Sequence, residues 1–219
     1  MLQKAKKEQE AMDEKSALLI KSWQKRNIAG LYCENKDFAA KQLLELIPAD
    51  ASVGFSGSKT LGELDIIRSL ESRGTKVFNQ NKPGLSPQEN LKLRKQGVQA
   101  DFYLASPNAI AESGELVFFS AYGNRTAGIA FADRVIFVAG INKIAKNLQE
   151  AMQRARDYVT PLNCKRLNWN TPCVKDGICR ETLCVFPEYQ RMCCQVLIIE
   201  AEKTAGRIQV VLVGESLGF

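Results

Sequence analysis

The chain has 219 residues, 45% of them apolar and 25% charged, with a net charge of +6 and no histidine. That is enough chain for one substantial core, and the lack of imidazole excludes Ser-His-Asp and Cys-His catalysis and every metal site with a histidine ligand. Acid–base chemistry then falls to carboxylates, lysines, tyrosines or thiols. Basic residues are dispersed among acids, without a basic block or an aromatic ladder. This argues against nucleic-acid binding and suits a small anionic metabolite. No apolar run approaches the ~20 residues of a membrane span. The opening MLQKAKKEQEAMDEK has mixed charge and no apolar centre, so no signal peptide is expected and the expected compartment is the cytoplasm.

In chain order, residues 1–36 read as a helical extension with sparse apolar positions such as Leu18, Leu19 and Trp23, suited to packing across the domain or against a second copy in a homodimer. Residues 37–219 form the main domain. A helix begins near Asp37, with Ala39, Leu43, Leu46 and Ile47 on one face, and Pro48 ends it. Ser52–Phe55 reads as a strand, Thr60–Leu70 as a helix and Lys76–Phe78 as a strand. Ser86-Pro87-Gln88-Glu89 is a capping box, which predicts a helix to about Gln96. Strands follow at Asp101–Leu104 and Leu116–Phe119, then a helix from Gly123 to Phe131. Arg134–Ala139 is apolar enough for a strand buried on both faces, and a helix is expected from Ile144 to about Tyr158. An insertion at 161–194 carries clustered cysteines. Val196–Glu200 and Ile208–Val213 read as two closing strands joined by the turn Lys203-Thr204-Ala205-Gly206. The alternation predicts an α/β fold: a mostly parallel open sheet with helices on both faces.

Chemistry concentrates in three places. Val53-Gly54-Phe55-Ser56-Gly57-Ser58-Lys59-Thr60 is a strand, a glycine-serine turn and a helix start. Ser56, Gly57, Ser58 and Thr60 suit either anion binding or ordinary helix capping. Ser58 stands where a Walker A loop needs glycine, which rules out that motif. In the second place, Ser106–Ile144, short turns between apolar runs carry Asn108, Glu112, Asn124, Arg125, Asn142 and Lys143. Arg125 has the planar fork that grips a carboxylate or phosphate. Lys143 is either an anion contact or an exposed residue in the first turn of a helix. The third is Cys173-x5-Cys179-x4-Cys184-x8-Cys193-Cys194, whose thiols read as zinc or iron–sulfur ligands or as buried, redox-capable thiols.

Asn108-Ala109-Ile110, Gly123-Asn124-Arg125 and Asn142-Lys143-Ile144, in that order, together with the closing Val213-Gly214-Glu215-Ser216-Leu217-Gly218, resemble the lactate-utilisation (LUD) domain family from Asp37 to Gly218. The resemblance implies the fold of the sugar-isomerase and CoA-transferase superfamily, whose glycine-rich turn holds phosphate or coenzyme A. It implies that Asn108, Glu112, Asn124 and Arg125 converge near the Ser56–Thr60 turn. Glu112 is then the candidate general base or nucleophile, as in CoA transferases; the other reading makes it a turn cap paired with Arg125. The family implies a role in oxidising L-lactate or a similar organic acid beside iron–sulfur oxidoreductase partner proteins. Lacking Cys-x2-Cys-x2-Cys runs, this chain would be the small accessory subunit. The alternatives are a stand-alone enzyme resembling CoA transferase or formyltetrahydrofolate cyclo-ligase, and a cysteine-based metal or redox module. Family members carry Cys-x-x-Cys where this chain reads Cys179-Arg180-Glu181-Thr182, a departure that weakens the metal reading.

Overall fold

A computed structural model describes the backbone of residues 2–219 and the side chains from residue 14 onward. Helix α1 (Leu2–Lys25) ends where Asn27 takes a left-handed φ of 58° and turns the chain into strand β1 (Ala29–Cys33). The sequence reading has no strand in that region, because AGLYC lacks clear alternation. Trp23, fully buried, donates its Nε1–H to the Gly114 carbonyl at 3.0 Å, fixing α1 to the body.

Helix α2 (Lys36–Leu46) starts at Asn35, whose side chain accepts from the Phe38 N–H, and stops before Pro48. Then come β2 (Ser52–Phe55), α3 (Lys59–Glu63), α4 (Ile66–Ser72) and β3 (Lys76–Val77). The single helix expected over 60–70 is two, because Asp65 sits at φ 48° between them. Helix α5 (Pro87–Val98) has the expected capping box in place. The chain continues through β4 (Phe102–Ala105), β5 (Ala109–Ala111), β6 (Leu116–Ser120), α6 (Asn124–Phe131), β7 (Arg134–Gly140) and β8 (Ile144–Ala145).

The next helix begins four residues later than expected, at Leu148, because Asn147 caps it through Glu150 N–H at 2.9 Å and Ile144–Ala145 pair with β5 instead. It also runs past its expected end, as α7 (Leu148–Gln153), a π turn (Arg154–Val159) and α8 (Thr160–Arg166). The wider turn accommodates Pro161, which has no N–H to give and whose ring would strike a carbonyl of the preceding α turn. The Thr160 N–H reaches back to Ala155 O, and its hydroxyl donates to the same oxygen at 2.8 Å. Short α9 (Cys173–Asp176), β9 (Gln195–Ile199) and β10 (Ile208–Val213) follow, and single 3-10 turns lie at Ile141–Lys143 and Glu181–Leu183.

Six strands form an all-parallel sheet in the order β1-β10-β7-β4-β2-β3, and four form a second sheet, β8-β5-β6-β9. The closing strands are therefore not partners. β10 lies between β1 and β7, while β9 pairs antiparallel with β6. Arg26 explains part of the difference: its carbonyl takes the Glu202 N–H, and its guanidinium reaches Glu200 O at 2.6 Å, so the connection is held on α1.

The main sheet buries two apolar faces. Val211 and Val213 join Leu43, Leu61 and Ile66 on one side; Val210 and Leu212 join Trp23, Phe118 and Phe137 on the other. This is the period-2 alternation of a strand covered twice. The smaller sheet covers part of the second face. At Gly54, β2 meets α5: a Cβ there would stand 1.9 Å from the Gly97 carbonyl oxygen, whereas a Cβ at Gly57 would have nothing within 4 Å. Gly54→Ala is expected to cost about 3 kcal/mol or more through overpacking against backbone, and Gly57→Ala almost nothing, as read from urea-denaturation midpoints.

Candidate functional site

Strands β2, β4 and β7 run parallel, so the segments after their carboxyl ends meet at one edge, the usual ligand side of an open sheet. These segments are 56–58, 106–108 and 141–143, and with the start of α6 they bring Ser56, Gly57, Ser58, Thr60, Asn108, Asn124, Arg125 and Lys143 to one cleft. A cavity of about 510 Å³ has Ser56, Arg94, Tyr122, Arg125, Arg166 and Trp169 in its wall. A smaller one of about 40 Å³ reaches Thr60, Ser106 and Lys143 and shares Gly57, Asn108 and Arg125 with it.

Arg125 is held entirely by neutral acceptors. It donates from Nε to Ser56 Oγ at 3.1 Å, from Nη1 to Phe119 O at 2.7 Å and Asn108 Oδ1 at 3.3 Å, and from Nη2 to Gly57 O at 2.7 Å. Burial opposes its charge. The glycine-serine turn thus orients the arginine by accepting from it. Helix α3 is a single short turn, and the Ser58 hydroxyl already accepts from its Leu61 N–H.

Lys143 is buried, so the reading of it as an exposed helix residue is set aside. Its Nζ donates to Ser106 Oγ at 2.7 Å, Thr60 Oγ1 at 2.8 Å and Pro107 O at 3.2 Å. Both hydroxyls spend their own protons elsewhere, Ser106 on Val138 O at 2.7 Å and Thr60 on Leu217 O at 3.4 Å, so their lone pairs face the ammonium. Burial, with help from Arg154 and Arg125, pushes the Lys143 pKa down to about 7. Arg154 stands behind, donating to Asn108 O at 2.9 Å and Asn142 O at 2.8 Å.

Among the described residues no Asp or Glu lines either cavity, and Arg94, Arg125, Lys143, Arg154 and Arg166 form no ion pair. Away from the cleft several arginines find carboxylates: Arg26 with Glu115 at 2.5 Å, Arg180 with Asp176 at 2.6 Å and Arg207 with Glu202 at 2.5 Å. Of these five only Lys143 is buried, and an uncompensated buried cation is costly unless something anionic completes it.

Glu112 does not converge with the others. It follows β5 on the turn gripped by α1, its N–H bonds Ala145 O, and its half-exposed carboxylate pairs with Lys15 Nζ at 3.2 Å, not with Arg125. Sequence reasoning missed Arg94, Ser106, Arg154 and Arg166. Ser106 carried a usable signal, since it directly follows β4; Arg154 and Arg166 sit in helices and carried none.

The thiols of Cys164, Cys173, Cys179, Cys184 and Cys193 line a separate cavity of about 20 Å³, and all are free. Burial pushes the Cys164 thiol up to about 12, and raises those of Cys179 and Cys184 as well. Thr160, Met192 and Cys193 also border the large cavity, so the two share a wall. As placed, no three Cys, Asp or Glu side chains among the described residues meet closely enough to hold an ion.

The family model for the LUD domain matches residues 17–213. The chain belongs to the LUD domain family. Among solved structures, this LUD domain is similar to a DUF162 family protein from Deinococcus radiodurans, at 12% identity and a TM-score of 0.50, over 94% of this chain and 98% of that one. That likeness shows the fold. Ribose 5-phosphate isomerase A from Neisseria gonorrhoeae matches at 14% identity and a TM-score of 0.34, over 52% of this chain and 54% of that one. Curated proteins give no match. No described helix of the LUD domain is long and apolar enough to cross a membrane.

Proposed function

We propose that this LUD domain binds a small organic-acid anion, L-lactate or a close relative or its oxidised form, between Arg125 and Lys143, as the accessory subunit of an organic-acid oxidation system with iron–sulfur oxidoreductase partners. One observation carries the reading: a buried lysine and a half-buried arginine, satisfied only by neutral acceptors, face an acid-free cavity. Arg125 supplies its charge and the one Nη2–H that its four neutral acceptors leave over, and Lys143 supplies a charge that a bound anion keeps protonated. Titration calorimetry with L-lactate, pyruvate and inorganic phosphate tests it. Saturable one-site binding of a carboxylate is expected; heat no greater than buffer dilution for all three would sink the reading.

The size of the outer cavity, about 510 Å³, favours a second reading in which a larger acyl or cofactor ligand extends past Tyr122 and Trp169. This is the enzyme related to CoA transferase or the cyclo-ligase. Lys143 would serve it as acid–base group, Glu112 being engaged by Lys15. Titration calorimetry with a CoA thioester beside L-lactate would separate the two, since saturable binding of the thioester is expected only on this second reading.

A further inference from the structure

Lys143 stands apart from the other described lysines. Each of those is exposed, and Lys143 is the only buried charged side chain among the described residues. A buried lysine that serves only the fold is ordinarily paired with a carboxylate. The Nζ of Lys143 reaches two hydroxyls and a carbonyl instead. Its backbone is fixed as well. Lys143 ends the 3-10 turn Ile141–Lys143, where the Asn142 side chain accepts from the Leu217 N–H at 3.0 Å and the Asn142 carbonyl accepts from Arg154 at 2.8 Å. Gly218 closes one side of the amine, since a Cβ there would stand 2.4 Å from Thr60 Oγ1 and 3.4 Å from Nζ. On another side lies the cavity of about 40 Å³ shared with Arg125. It has room for roughly three waters, which suits a skeleton of three or four carbons.

We propose that Lys143 captures a 2-oxo acid of the pyruvate type as a Schiff base, its Nζ bonding to C2 while Arg125 holds the carboxylate. This rests on the reading that a small organic-acid anion occupies the Arg125–Lys143 cavity. In a cavity this short, a carboxylate on the remaining Nη2–H of Arg125 leaves the neighbouring carbon beside Nζ. Burial brings the Lys143 pKa down to about 7, so the free amine that must attack is present near neutral pH. The C2=O double bond breaks and a C2=N bond forms. Two of the three ammonium protons leave with the carbonyl oxygen as water, and the third stays on the iminium nitrogen. Nothing is oxidised or reduced, and the positive charge that faces the carboxylate is kept. The Ser106 and Thr60 hydroxyls, 2.7 and 2.8 Å from Nζ, are placed to relay protons between nitrogen and the departing oxygen. A 2-hydroxy acid has no carbonyl to attack, so the site separates an organic acid from its oxidised form by bond formation.

The test incubates the full chain with pyruvate and sodium cyanoborohydride near neutral pH, followed by intact mass and peptide mapping. One reduced pyruvate adduct per chain is expected at Lys143, formed about tenfold or more faster than at the exposed lysines. Acetone, which lacks the carboxylate, should show no such preference. Arg125→Ala should cut labelling at limiting pyruvate by about a hundredfold, and Lys143→Arg should give no adduct at that position. Should either variant not fold, saturating L-lactate should protect Lys143 in the unmodified chain. Labelling of Lys143 no faster than that of the exposed lysines would overturn the proposal. Saturable heat with pyruvate but no adduct would also overturn it and leave the anion reading standing, whereas neither heat nor adduct would remove both.

Discussion

Arg125→Ala is expected to weaken binding of a small carboxylate by about a hundredfold or more, since truncating one member of a buried charged pair typically costs ~2–5 kcal/mol. It should also lower stability. The Phe119 and Gly57 carbonyls, at 2.7 Å from the guanidinium, would each lose their donor, at ~1–3 kcal/mol for any that stays dry. Arg125→Lys keeps the charge but cannot reach Ser56, Gly57 and Phe119 together, so it should recover little of the affinity. Calorimetry and urea denaturation on the same preparations separate the effects. Unchanged affinity in the alanine variant would place the anion elsewhere.

Lys143→Met should do the opposite to stability while abolishing binding. The ordinary lysine pKa in an unfolded chain is ~10.4, and in the folded domain burial lowers it to about 7. Below pH 7 both states carry the proton, and the native state bears the full cost of the buried charge. Between the two values the native state releases its proton first, so the unfolded chain binds more protons and stability rises with pH. Above the unfolded value the cost is gone. The depression corresponds to roughly 4 kcal/mol. Part of that is offset by lost hydrogen bonds, so the methionine variant should gain about 2–3 kcal/mol near pH 6. The gain should shrink steadily toward pH 10. Wild-type anion affinity should fall as pH rises through the neutral range, with its midpoint above that of the free protein because the bound anion holds the proton. A flat stability difference between pH 6 and pH 10 would show that Lys143 is not buried as a charge.

Local chemistry carried much of this from the sequence. The continuous apolar run of β7 has both faces buried, the Ser86 capping box forms, and residues 56–60, 108, 124, 125 and 143 do reach one cleft. These features depend on neighbours in the chain or on the general rule about strand ends. What escaped depends on partners far away. β1 is a strand because β10 lies alongside it, not because of its own pattern. Glu112 sits one turn beyond Asn108 in sequence, yet β5 carries it to α1, and nothing local announces that. Arg94 and Arg166 reach the cleft from helices separated from it by dozens of residues. The π turn is a partial exception, since Pro161 inside an apolar helical pattern flags an irregularity without telling its form.

The position of β10 bears on how the molecule comes into being. During synthesis β1 emerges early and then has no sheet neighbour until residues 208–213 have been made. Throughout that interval the edge of β7 that β10 will cover is unpaired. The nascent chain therefore carries an open apolar seam through its middle, a natural target for a ribosome-associated chaperone. The residues that follow β10 also finish the cleft: Leu217 O receives the Thr60 hydroxyl and Gly218 N–H reaches Glu63. Anion affinity should thus arrive in one late step and not accumulate with length, and stalled chains lacking β10 should be both inactive and sticky.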